Sequence, residues 1–100
     1  MYYRVTKINV NPGKMNEVVN YLDSISNKLY ELEGLHSINC VKVSETEAYA
    51  FSCYETKDQV HKATNFQQEV FGKMAQFFSG PPEVIEGPQI WQWTPDQVTA

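Results

Sequence analysis

The chain has 100 residues, 42% of them hydrophobic, and a formal net charge of −4 at neutral pH. That is enough polypeptide for one domain with an ordinary core, and no apolar run approaches the ~20 residues of a membrane span. Eight Lys plus Arg are scattered singly against twelve Asp plus Glu, which leaves no basic footprint for nucleic acid.

The opening MYYRVTKINV is too short, polar and alternating for a signal peptide, so a cytoplasmic setting is expected. Residues 2–10 read as a first strand, with Tyr3 and Val5 on one face and Ile8 and Val10 on the other. Asn11 to Gly34 reads as one long helix over about 13–33. Asn11 is expected to cap it, Pro12 suits its first turn, and Gly34 can take the left-handed conformation that ends it. Met15, Val18, Leu22, Ile25, Leu29 and Leu32 recur at steps of three and four and form its buried stripe.

A second strand follows over 35–43, and the polar SETE of 44–47 makes a turn. The third strand, 48–55, puts Tyr49, Phe51 and Cys53 on one side and Ala48, Ala50, Ser52 and Tyr54 on the other. Thr56 and Gln59 form a capping box that starts the second helix. Its stripe is Val60, Ala63, Phe66 or Gln67, Val70, Met74 and Phe77, widened by Phe71 and Phe78. Ser79-Gly80-Pro81-Pro82 stops it. A last strand is expected over 83–93, with Trp91 and Trp93 opposite Ile90, and 95–100 reads as a frayed tail beyond a single domain of residues 1–94.

The order β-α-β-β-α-β is that of a ferredoxin-like α+β domain, a four-stranded antiparallel sheet with two helices on one face. The strands are apolar on both faces, so the uncovered face is expected to pack on a second copy of the chain as a two-fold homodimer. Cys40 and Cys53 fall on neighbouring strands. They form no CxxC and have no second pair, so they give no zinc site and read as two reduced thiols.

Three short motifs carry a family resemblance: Val10-Asn11-Pro12-Gly13-Lys14, Leu32-Glu33-Gly34-Leu35 and Tyr54-Glu55-Thr56. With them the chain resembles, over about residues 3–93, the dimeric α/β-barrel superfamily and its antibiotic-biosynthesis-monooxygenase-like group. The resemblance implies a homodimer whose two sheets face each other as a barrel, with a pocket between sheet and helices in each subunit. It also implies oxidation of a small aromatic, of phenol or quinol type, without metal, flavin or other cofactor. Such chemistry asks for apolar walls, a hydrogen-bond donor or two, and a group that takes a proton near neutral pH. His61 is the expected proton acceptor or anion partner, since it and His36 alone have an ordinary pKa in that range. Asn39 and Tyr54 are the expected orienting groups, and Phe66, Trp91 and Tyr49 the expected substrate-binding walls.

The chain departs from the family's pattern. Many members carry a His nine positions after the aromatic that ends strand three, and counting from Tyr54 that position is Ala63. His61 lies two residues earlier, in a His-Lys-Ala-Thr run that also resembles the family's second helix, so either that helix starts two residues sooner or the His is absent. The haem-degrading branch has a Trp there and an Asn in strand one, where this chain has Ala63 and Thr6, which argues against haem degradation.

Two other readings are open to the sequence. Glu47 to Tyr54 matches an RNA-recognition strand at Tyr49, Ala50, Phe51 and Tyr54, but lacks the basic residue that meets phosphate. The stronger alternative is a non-catalytic, ligand-binding or stress-related module of the same dimeric fold. No paired carboxylates, Ser-His-Asp set, phosphate loop or metal-ligand cluster can be read in the chain.

Overall fold

Strand one sets the layers. The computed structural model describes residues 1–95, and in it β1 (Tyr2–Asn9) alternates, with Arg4, Thr6 and Ile8 buried and Tyr3, Val5 and Lys7 only partly covered. It lies inside an antiparallel sheet of order β2-β3-β1-β4, where β2 is Leu35–Lys42, β3 Glu47–Tyr54 and β4 Glu83–Pro88. Helices cover the Arg4–Thr6–Ile8 side. The expected ferredoxin-like arrangement is therefore present. No helix among the described residues is long and apolar enough to cross a membrane.

The turn after β1 differs from expectation. Asn11 does not cap the helix; its backbone carbonyl accepts from Lys14 N–H at 3.1 Å. Pro12 and Gly13 occupy the two central turn positions, Gly13 at a φ of 79°, and that left-handed value is what such a turn demands of its third residue. The Asn11 amide donates instead to the Phe78 carbonyl at 3.3 Å, fastening the turn to the far end of the domain.

The long first helix is shorter than the periodicity suggests. α1 spans Met15–Ile25, and Ser26–Glu31 continues as a tighter 3₁₀ turn. The serines account for the change. Ser24 and Ser26 donate their hydroxyls to the carbonyls of Tyr21 and Asp23, at 2.5 and 2.9 Å. Such bonds compete with the regular i→i−4 ladder and favour i→i−3 closure. Gly34 then ends the segment at a φ of 78°, as expected.

The second helix is split. The capping box at its start is present in both directions, Gln59 N–H to Thr56 Oγ1 at 3.3 Å and Thr56 N–H to Gln59 Oε1 at 3.1 Å. Yet α2 ends at Lys62 and α3 begins at Thr64, with Ala63 between them, and α3 runs to Met74 before a short 3₁₀ turn, Ala75–Phe77. The carbonyl of Val60 is drawn on three ways at this joint, by Ala63 N–H, Arg4 Nη2 and Thr64 Oγ1. Ser79 to Pro82 stop the helix as expected.

The last strand is shorter than the expected 83–93. It pairs with β1 from Lys7↔Glu83 to Tyr2↔Pro88, and beyond Pro88 the partner strand has run out. A single bond, Gln89 N–H to Met1 carbonyl at 2.9 Å, continues the pairing. Ile90, Trp91 and Trp93 therefore stand exposed, Trp91 at 78%. The tail from 96 to 100 lies outside the described residues.

The core forms two clusters. One gathers Ile8, Val10, Val18, Ala48, Met74 and Phe78; the other gathers Tyr54, Val60 and Ala63, with Tyr2, Leu32 and Leu35 packed against it. Apolar burial of this kind is worth roughly 25 cal/mol per Å² and is the main term holding helices to sheet. What lies between the two clusters is not filled.

Candidate functional site

A cavity of about 270 Å³ sits between the sheet and the helices, lined by members of both core clusters. β1 contributes Arg4, Thr6 and Ile8 to its floor, β3 contributes Ala50, Ser52 and Tyr54, and β2 contributes Ile38 and Cys40. These are alternate residues on each strand, so the strand period alone puts them on the covered face. The roof is Leu22, Ile25, Leu29 and Leu32 from α1 and the turn after it, and Phe66, Val70, Phe71 and Met74 from α3. The exposed lining residues Asp23, Ser26, Ile38 and Cys40 mark its mouth. Apolar walls with a few convergent polar groups are the usual form of a small-molecule site.

The least expected of those polar groups is Arg4. Only 5% of this residue is exposed. Its Nη1 donates to Gln67 Oε1, and its Nη2 donates to the Val60 carbonyl at 3.2 Å and to Thr64 Oγ1 at 3.0 Å. A carboxylate, Glu86 Oε2, lies 3.7 Å from Nη2. The Arg4 Nε is buried and has no hydrogen-bond partner among the described residues. A buried cation costs several kcal/mol unless well paired, and this one is held mostly by neutral oxygens. Gln67 also donates to Thr6 Oγ1 at 3.4 Å, so Arg4, Gln67, Thr6 and Thr64 form one polar seam beneath the helix joint.

Of the residues expected from sequence, Tyr54 and Phe66 line the cavity. Tyr54 is buried, and burial pushes its phenol above the ordinary range, with the Arg4 charge pulling the other way. Cys40 lies at the exposed mouth, where partial desolvation raises its thiol. The other four expected residues lie elsewhere. His61 is not on the lining; its Nε2 is 2.8 Å from Glu86 Oε1, on the outside of the polar seam. Asn39 sits between Ile38 and Cys40 on β2, so the strand period turns it to the opposite face. Tyr49 is also on that face, stacked on Phe51 with ring centroids 6.4 Å apart. Trp91 is in the exposed stretch past β4. His36, the second histidine, is 3.5 Å from Glu55 and also off the lining.

Ala63, nine positions after Tyr54, faces the cavity. Thr6 faces it from β1. The two cysteines do not meet: Cys40 is on the cavity face, Cys53 on the other, paired in register with Ser37, and both thiols are free. Among the described residues no group of three or more His, Cys, Asp or Glu could hold a metal ion.

No protein-family model and no curated protein matches the sequence. Solved structures do match the fold. A monooxygenase from Streptomyces coelicolor, in complex with the ligand nanaomycin D, aligns with a TM-score of 0.78 at 15% identity, covering 94% of this chain and 91% of that one. A protein of unknown function from Nitrosomonas europaea gives 0.78 at 14%, covering 94% and 93%. A Bordetella bronchiseptica protein with the provisional name antibiotic biosynthesis monooxygenase gives 0.74 at 17%, covering 90% and 97%. At such identities the likeness shows a shared fold, and it is the fold of the antibiotic-biosynthesis-monooxygenase-like proteins that the sequence resembles.

Proposed function

We propose that this chain is a homodimeric, cytoplasmic relative of those monooxygenases, which binds a small aromatic compound in the cavity and oxidises it with dioxygen without a cofactor. The observation that carries the reading is the cavity itself, a lined space of about 270 Å³ close to the lower end of small-ligand pockets. Leu22, Leu29, Phe66, Val70 and Phe71 give walls suited to a flat ring, and Tyr54 a hydroxyl to orient it. In the reaction proposed, a phenol with a free ring carbon plus dioxygen gives a quinone plus water. Four electrons leave the ring; one oxygen atom becomes the new carbonyl and the other leaves as water. The protein's part is to hold the ring, exclude water and favour the electron-rich ionised form. The neighbour from Streptomyces coelicolor, a monooxygenase with a ligand bound, supports this choice of chemistry. Two free thiols fit a cytoplasmic setting.

The sheet face opposite the helices supports the homodimer. Val5, Val41, Tyr49, Phe51 and Ile85 lie together there, and Ile85 is 70% exposed. The Lys7–Glu47 ion pair, at 3.3 Å, borders them. An apolar patch with a charged rim is what a second copy would cover.

One observation favours the alternative, a binding module without turnover: neither histidine lines the cavity. Oxygen-electrode measurements with hydroquinones, anthrols and flavonols separate the two. The enzyme reading expects one dioxygen consumed per substrate converted. Saturable binding across the panel with no oxygen uptake would establish the module instead.

A further inference from the structure

We infer that Arg4 makes this cavity a site for anionic aromatics, in which the ligand is held as its phenolate within the field of the buried guanidinium. The inference rests on the cavity being the ligand site proposed above, and adds what kind of ligand it selects and how the ring is ionised without a histidine.

Three observations carry it. First, Arg4 is on the cavity floor and almost wholly buried, where an aliphatic side chain would be the cheaper occupant. Second, its partners leave its charge in place. Gln67, Val60 and Thr64 offer neutral oxygens, while Glu86 stands 3.7 Å away, off the cavity lining, with its carboxylate shared with His61 and with Tyr2. Third, the Nε is a buried donor with no hydrogen-bond partner among the described residues. With that donor unpaired, the guanidinium is less neutralised by its surroundings than a fully bonded one, and its field acts on what the cavity holds.

The titratable and charged groups around Arg4 are few. Glu86 faces it from β4, with His61 of α2 behind it; Tyr54 faces it from β3; Asp23 and Cys40 are at the mouth. Burial raises the Tyr54 phenol, against the pull of the Arg4 charge, and partial burial raises the Cys40 thiol, while Asp23 is on the exposed side of α1. Arg4 is thus the dominant charge inside the cavity. A cation within ~4–6 Å of an acid lowers its pKa by 1–3 units. The ligand's proton goes to solvent at the mouth, and no protein base is needed to hold it.

The test uses 4-nitrophenol, whose ionised form absorbs at longer wavelength, and 4-nitroanisole, its neutral methyl ether. Titration of the bound phenol on the unaltered protein should show half-ionisation at a pH at least one unit below that of the free probe, a tenfold or greater preference for the phenolate. The ether should bind at least tenfold more weakly than the phenolate. Arg4→Met should abolish the preference for the phenolate over the ether, while Arg4→Lys should keep part of it. If the bound phenol ionises at the same or a higher pH than in solution, or the ether binds as well as the phenolate, the inference is overturned. Should Arg4→Met fail to fold, the titration of the unaltered protein decides alone. Oxygen uptake is measured separately. Phenolate binding without uptake sinks the oxygenase reading and leaves this inference standing; uptake with neutral binding does the reverse.

Discussion

His61 stands at the outer end of a line of contacts that begins in the cavity wall: Arg4 to Glu86 at 3.7 Å, then Glu86 to His61 at 2.8 Å. The His61 hydrogen bond is the largest cause holding the Glu86 carboxyl below its ordinary 4.5, and the charges of His61 and Arg4 add to it. A carboxyl that ionises more easily folded than unfolded contributes stability that is complete above the unfolded pKa and is lost as pH falls through the lowered folded one. His61→Ala removes the first cause and moves the folded value back toward 4.5. The variant is therefore expected to lose stability less steeply on acidification below about 4.5 than the parent does, read from urea midpoints over that range. Parallel acid limbs for the two proteins would show that the contact contributes nothing. The same pair of residues shows what the sequence could and could not disclose about the site. His61 was legible as a titratable group but not as one turned outward, because the helical period cannot say where the joint at Ala63 will fall. Arg4 shares parity with Thr6, Ile8 and Val10, so strand alternation alone places it under the helices. A search for apolar period passes over it. Read as a break in that period it was a signal, since breaks of local pattern collect at functional positions.

The elements meet most tightly at Gly34, where the 3₁₀ turn ends, β2 starts and α2 is capped. Its φ of 78° disfavours any side chain, and a Cβ there would overlap the Gln59 amide that closes the capping box. The Gly34 carbonyl also accepts from Glu55 N–H at 3.0 Å. Gly34→Ala should therefore cost both the left-handed strain and the cap, about 2–4 kcal/mol together. Thr56→Ala, which loses only the cap, should cost about 1 kcal/mol. Denaturant midpoints for the two variants check the ratio, and equal losses would mean that Gly34 matters only through the cap. The elements themselves were largely legible. Strand period, the Thr56–Gln59 box and the Ser79–Pro82 stop are local signals, and each sits where the sequence placed it. What failed were lengths. The stripe from Met15 to Leu32 is real, and Leu22, Ile25, Leu29 and Leu32 all reach the cavity. Periods of 3.0 and 3.6 differ too little over two turns to tell helix from 3₁₀ extension. The end of β4 depended on β1 running out of residues, a tertiary fact no local pattern records.

The sheet face away from the helices carries Val5, Val41, Tyr49, Phe51 and Ile85 and has no covering layer among the described residues. Three strands of eight residues and one of six, about 4.8 Å apart, give a four-stranded face on the order of 500 Å² before side-chain relief. A stable interface takes about 800 Å² from each partner. In the proposed dimer the exposed side chains of Ile90, Trp91 and Trp93 supply the remainder. The chain's two tryptophans, Trp91 and Trp93, then report on assembly directly. Phe51 is at the centre of the face, paired in register with Val5 and Asn39, and makes no part of the cavity. Phe51→Lys puts a charge on each side of the two-fold contact without touching the helix-covered core. The unaltered chain is expected to sediment at twice 11.5 kDa at micromolar concentration and the variant at 11.5 kDa. Dissociation should shift tryptophan emission to the red, because two indoles return to water. A monomeric parent would remove the dimer outright. A dimeric parent whose emission does not move on dissociation would leave the sheet contact in place and show that the segment beyond Pro88 takes no part in it.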